Sequence, residues 1–313
     1  MSVTEQNYAT STNDEIGLAE LFDIIWRGKW LVLAFSVIFA AGSVYYALQL
    51  PNIYRAETIL SPLGKDGGIQ LPGQLSGLAS LAGVNLGGLS RGDNTNLALE
   101  IMVSRDFLSR FIEKHQVLVP LLAAESWEPD TQDIKIDPKL YDVDSKRWIR
   151  KPRANQQIVP TYWEAVKSFK KVFNVNRDKV SGMVKVTFDH VSPVFAADLL
   201  NKLVHDINEE MRQRELSEAQ RSISYLTEQV NNTSLADLRT TLFELIEEQT
   251  KTLMLANVRE EYMFRTVDPA VAPEEKHSPK RALIVVLATF AGGFLALLIL
   301  FIREFSFKDK KVS

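Results

Sequence analysis

The sequence predicts an α+β fold: a mixed body between two transmembrane helices, with a long helical hairpin projecting from it. Three observations predict this. Two runs of 21 residues, Trp30 to Leu50 and Ala282 to Ile302, carry no charged side chain. Twenty-one helical residues rise about 31 Å, the thickness of a bilayer's hydrocarbon core, and a buried helix of a soluble domain rarely runs so far without a charge. Between the runs, strand-like alternation is mixed with short amphipathic helical patterns. From Pro193 to Tyr262 the apolar spacing is helical over a length that exceeds what a compact body needs.

Composition narrows the function before any motif is read. Of 313 residues, 24% are charged and 46% hydrophobic, an ordinary mixture for a folded chain. The formal net charge of −3 speaks against a polyanion partner, so no nucleic acid is expected. The absence of cysteine removes disulfides, thiolate metal sites and cysteine nucleophiles together. His115, His190, His205 and His277 lie far apart in sequence, too sparse for a zinc site. No cofactor or metal is expected.

The chain begins with a polar leader and then reads Glu15 to Trp26, with Ile16, Leu18, Leu21, Phe22 and Ile25 near one helical face. This is an amphipathic helix at the membrane surface or a plain juxtamembrane helix. The first apolar run is flanked by Trp26 and Trp30 at one end and Tyr45 and Tyr46 at the other, which suits headgroup level. A cleaved signal peptide would have a shorter apolar core and a short basic leader, unlike the long acidic leader here. Basic residues near the spans number six on the tail side and six on the loop side, a tie. Short segments weigh most in orientation, which favours tails in the cytosol.

Tyr54 to Leu60 alternates as a strand and is closed by Ser61-Pro62. Residues 64–92 hold nine of the fifteen glycines. No Lys-Ser/Thr follows them, so a phosphate loop is excluded, and Gly77, Ala79, Gly83, Gly87 and Gly88 are candidates for a mobile or close-packed loop. Ser104 caps a predicted helix with Phe107, Leu108, Phe111 and Ile112 on one face. Pro160-Thr161 opens another, with Trp163, Val166, Phe169, Lys170 and Phe173. Val175 to Asp178 and Met183 to Phe188 form a hairpin about Ser181-Gly182 and, with the strand at 54, a small sheet backed by helices.

Leu216, Ala219, Ile223, Leu226 and Val230 recur at 3, 4, 3, 4, a coiled-coil-like seam. Asn231 to Ser234 interrupts it, and a second seam is expected at Leu235, Leu238, Leu242 and Leu245, losing register at Gln249. Two helices folded back on each other result, the first about 58 Å long; one continuous helix through Asn231 is the rival. His205 and Glu209 share a helical face, and a surface pair is expected there rather than an acid–base dyad. Pro269, Pro273 and Pro279 make an extended stem before the second apolar run, holding what precedes it at a set distance from the lipid. Ala288, Gly292, Gly293 and Ala296 offer a small-residue surface there, with Ala40, Gly42 and Ser43 as a matching surface on the first run.

Read in order, these segments resemble the Wzz-type polysaccharide co-polymerases, or chain length determinant proteins. The resemblance rests on Tyr54-Arg55-Ala56, Leu78 to Gly83, Ser104 to Leu108 and Ser192 to Ala197. It is tightest at Leu245 to Lys251, Met254-Leu255-Ala256, Asp268-Pro269-Ala270, Pro273-Glu274 and Pro279-Lys280-Arg281. It implies a cytosolic leader (1–29), a first span (30–50), a periplasmic domain (51–281), a second span (282–302) and a cytosolic tail (303–313) in a Gram-negative inner membrane. It implies ring-like homo-oligomers that set the modal length of O-antigen or a related surface polymer. A separate membrane polymerase is the implied partner, with the growing glycan chain beside it and no catalysis by the protein itself. Larger relatives append a cytosolic kinase domain, and the tail of eleven residues after Ile302 points to the class without one. Two other classes share the two-span layout. A transmembrane sensor needs a cytosolic transmitter, and a periplasmic adaptor of an export machine needs lipoyl-like β repeats; neither is legible.

Overall fold

The structure, a computed structural model, describes residues 26, 28–63, 91–152 and 156–309. The amphipathic leader and the glycine-rich stretch with Gly77, Ala79, Gly83, Gly87 and Gly88 lie outside the described residues. The chain divides into two compact units, one of residues 1–50 with 278–313 and one of residues 51–277.

In the first unit, α1 (Lys29–Gln49) covers the first apolar run. Its partner is the last helix of the chain. The second unit begins with β1 (Tyr54–Pro62), α2 (Arg91–Met102), α3 (Arg105–Lys114) and α4 (Leu118–Ala123). Two small hairpins follow, β2 (Ala124–Trp127) with β3 (Ile134–Ile136) and β4 (Tyr141–Asp142) with β5 (Arg147–Trp148). Then come α5 (Tyr162–Val172), β6 (Phe173–Arg177), β7 (Val184–His190), α6 (Pro193–Asn232), α7 (Ala236–Val258) and β8 (Phe264–Asp268). The closing helix of the chain, α8 (Arg281–Asp309), packs on α1 in the first unit.

The sheet has the order β6-β7-β1-β8, and every neighbouring pair is antiparallel. The expected three strands are there, and β8 adds a fourth, ending at Asp268 before Pro269. Its Phe264 is buried. Burial alternates along β7, with Val184, Val186, Phe188 and His190 inward. Along β1, Ala56, Thr58 and Leu60 take the same side. The outer face is polar, with Glu57 on Lys185 at 2.7 Å and Arg55 on Asp189 at 2.6 Å. One wet face and one packed face give an antiparallel sheet its period of two.

Helices cover the packed face. Ser104 caps α3, its side chain accepting from the Phe107 N–H, and Phe107, Leu108, Phe111 and Ile112 are buried as their spacing predicts. Thr161 caps α5 in the same way, burying Ala165, Val166 and Phe169. Phe173 departs from the expectation. Trp163 stands 61% exposed, and Phe173 begins β6. Phe173 leaves the helix because its backbone is extended, its N–H closing the last turn on the Phe169 carbonyl as the chain enters β6. The rings of Phe111, Phe173 and Phe188 surround Phe169 at centroid distances of 6.1, 5.2 and 5.1 Å. Asp178 accepts from the N–H groups of Val180 and Ser181 in the β6–β7 turn, and Gly182 adopts a φ of +72° that a side chain would strain.

Candidate functional site

The segment from 193 to 258 is the candidate site. Ser192 caps α6 through the Phe195 N–H, and Pro193 occupies the first turn. The first five turns of α6 are buried on the body through residues such as Leu199, Leu200, Leu203 and Ile207. Beyond Met211 only Ala219 and Val230 are fully buried, and the helix runs free of the body against α7. Thr233 and Leu235 separate the two helices at the break the sequence marks. The hairpin is therefore formed, and the single continuous helix is not.

The seam of α7 is not the expected one. Leu238 and Leu245 are 45% and 40% exposed, and Leu235 precedes the helix in an extended conformation. The less exposed face instead runs Leu242, Ile246, Gln249, Leu253 and Ala256, spaced 4, 3, 4, 3. The register does not fail at Gln249; a polar residue occupies one seam position, and the repeat continues past it. Leu238, Phe243, Leu245, Met254 and Val258 are left as a second, solvent-facing set of large apolar side chains. Large unpartnered apolar surface on a folded chain marks an interaction surface.

The root of α6 is tied to the body by charge and by amides. Asp206 is buried between Lys114 Nζ and His115 Nε2, both 2.8 Å from its carboxylate. Glu210 accepts from Arg110 at 2.9 Å and Arg214 at 2.7 Å, and those guanidinium groups hold its pKa below the ordinary glutamate value. A cleft of about 200 Å³ lies here, lined by Phe107, Arg110, Lys114, Asp206, Glu209 and Gln213 among others. His205 and Glu209 make no dyad: the Glu209 carboxylate is taken by Gln213 and Arg212.

Two asparagines do what sequence reasoning missed. Buried Asn208 accepts from the Met263 and Phe264 N–H groups at 2.8 Å and donates to the Phe264 carbonyl at 3.0 Å. Asn201 makes the same paired contact with Ala270, at 3.1 and 2.9 Å. They stand seven residues apart, two helical turns, and so pin the returning chain at two points. Asparagine is unfavourable inside a helix unless its side chain has such work, and that was the available signal. The stem carrying Pro269, Pro273 and Pro279 forms no helix or strand beyond Asp268. It is held to the body at Ala270 and again by the His277 N–H on the Ile53 carbonyl at 2.8 Å.

In the first unit, α1 and the segment Arg281–Arg303 of α8 are each long and apolar enough to cross a membrane. A Cβ on Gly292 would lie 2.7 Å from Phe39, and one on Gly293 would lie 3.2 Å from Ser36 Oγ. Ala296 is fully buried, and Ala288 half-buried. The facing surface on α1 thus includes Ser36 and Phe39, while Gly42 has open space around it.

Comparison with known proteins adds two family matches. Residues 14–115 match the model described as Wzz, chain length determinant protein, and residues 228–305 match GNVR, a G-rich domain on putative tyrosine kinases. The second description points toward the kinase-associated class. A full-length bacterial polysaccharide co-polymerase aligns at 14% identity with a TM-score of 0.40, covering 92% of this chain and 97% of that one. A fragment of WzzB, a polysaccharide co-polymerase from Salmonella Typhimurium, aligns at 15% identity with a TM-score of 0.29, covering 72% and 100%. No curated protein matches the chain. The stretch that is similar to chain length determinant proteins takes in α1, β1, α2 and α3.

Proposed function

We propose that the protein sets the modal length of O-antigen or a related surface polymer as a non-catalytic, oligomeric scaffold in a Gram-negative inner membrane. Its partners are further copies of itself, a separate membrane polymerase, the growing glycan chain and the bilayer. The observation that carries this reading is the solvent-facing apolar set on α7, Leu238, Phe243, Leu245, Met254 and Val258, on a hairpin whose own seam is already filled. A second copy supplies the apolar surface these side chains lack, and side-by-side hairpins build a closed ring when the contact repeats by rotation. Residues 51–281 then stand in the periplasm, between a leader and tail in the cytosol.

Packing between the spans supports the same arrangement, with Gly292, Gly293, Ala288 and Ala296 letting α8 approach α1. Gly292→Leu drives a side chain into Phe39 and is expected to broaden the polymer distribution, read on a gel of surface polysaccharide. Deletion of the gene tests the reading as a whole. A modal ladder should become stochastic, and an unchanged ladder overturns it.

A further inference from the structure

A second surface, away from the hairpin, has a different chemistry. Residues 139–152 and 156–173 hold eight lysines and arginines against three acids, in a chain whose formal net charge is −3. Arg150 organises the region. Its guanidinium binds the Glu164 carboxylate at 2.5 and 2.7 Å and donates to the carbonyls of Gln157 and Ile158 at 2.8 and 2.9 Å. That clamp brings the segment before α5 against the first turn of the helix and leaves Ile158, Val159 and Trp163 exposed.

The basic side chains flank these apolar ones at helical spacing. On α5, Trp163, Lys167 and Lys171 fall on the face opposite buried Ala165, Val166 and Phe169, and exposed Lys170 lies at its edge, next to Val166. Lys167 Nζ sits 5.4 Å from the Trp163 ring. Glu164, the acid on this helix, is neutralised by Arg150, which holds its pKa below the ordinary value. The exposed face therefore presents tryptophan and branched aliphatics ringed by cations. A large aromatic with an apolar body and a polar edge suits the headgroup level of a bilayer, and lysines can lay apolar stems on the surface while reaching phosphates.

We infer that this face, Ile158, Val159 and Trp163 with Lys167, Lys170 and Lys171, binds the surface of an anionic phospholipid bilayer. The inference rests on the membrane-anchored reading above, since two spans tether the body to a bilayer. A second copy of the chain is disfavoured as occupant because like charges would meet wherever two such faces approach. Each lysine near an anionic surface contributes roughly a fivefold factor in affinity, so three together make docking strongly dependent on lipid charge and on salt.

The chain has no cysteine, so a single introduced thiol labels uniquely. Full-length Val159→Cys carrying an environment-sensitive dye is reconstituted in phosphatidylcholine vesicles with or without phosphatidylglycerol, doped with a headgroup-level spin quencher. A dye at Val180→Cys, in the exposed β6–β7 turn, serves as reference. The expected result is a blue shift and quenching at 159 with phosphatidylglycerol, reversed by salt and lost in Lys167→Glu/Lys170→Glu/Lys171→Glu, with no change at 180. Absence of quenching in chain that resists carbonate extraction overturns the inference and leaves the anchored reading intact. A shift that ignores lipid charge but follows protein-to-lipid ratio assigns the face to a second copy and also overturns it. Chain that carbonate extracts overturns the anchored reading and this inference together.

Discussion

The body and the hairpin use apolar residues differently. In the body, Phe111, Phe169, Phe188 and Phe264 are almost completely buried, each satisfied within the protomer. In the hairpin, full burial is confined to small or branched residues, Ala219, Val230 and Ala256, while leucines, a phenylalanine and a methionine face solvent. Core packing stabilises the fold, so removing it costs stability everywhere. An exposed apolar face contributes little to the protomer, and its cost in solubility makes sense only if something covers it.

The largest expected effect lies in the body. Phe188→Ala should cost about 3–5 kcal/mol in denaturant unfolding, whereas Leu238→Ala should cost under about 1 kcal/mol and act on assembly instead. Equal losses at the two positions would erase the distinction. Next comes the point where the two regions join. Asn208→Leu leaves the Met263 and Phe264 backbone groups buried without partners, and about 2–4 kcal/mol should be lost. Asn201→Ala, at an exposed position, should cost about 1 kcal/mol. If both cost nothing, the return of the chain onto α6 is not held by these amides.

Where one periodicity had one cause, the fold was legible in the sequence. The faces of α3 and of the β6–β7 hairpin, and the break at Asn231 to Ser234, each follow from spacing and capping that tertiary context does not contest. Legibility failed on α7 because two neighbouring stripes compete there, Leu238 standing only about 40° round the helix from Leu242. Leu238 and Leu245 are seven apart, as are Leu242 and Gln249, and a polar residue in the second series hid the true seam. Periodicity cannot rank two neighbouring stripes when only one of them packs against α6. The asparagines inside α6 were a signal, but their partners were not legible, being backbone groups more than 50 residues away.

A smaller effect separates the regions by pH. His190, at the root of α6, accepts from the Ser192 N–H at Nδ1, leaving Nε2 to donate to the Pro120 carbonyl. Burial lowers its pKa from an ordinary value near 6.5. Above that value both folded and unfolded imidazoles are neutral and nothing changes. As pH falls below it, the unfolded chain takes a proton the folded one refuses, and stability declines until the folded group titrates. His190→Gln should flatten this slope in urea melts across the weakly acidic range; an unchanged slope would assign it elsewhere. The smallest effect is expected at the half-exposed Arg110–Glu210 pair, where Arg110→Ala should cost less than about 1 kcal/mol, less again in high salt.

One comparison in cells bears on the central claim most directly. Phe243→Asp with Met254→Asp places charge on the side of α7 turned away from the seam of Leu242, Ile246, Gln249, Leu253 and Ala256. On a gel of surface polysaccharide from cells making this variant at normal abundance, the account predicts that the modal cluster of bands disperses. A cluster unchanged in position and sharpness would contradict it.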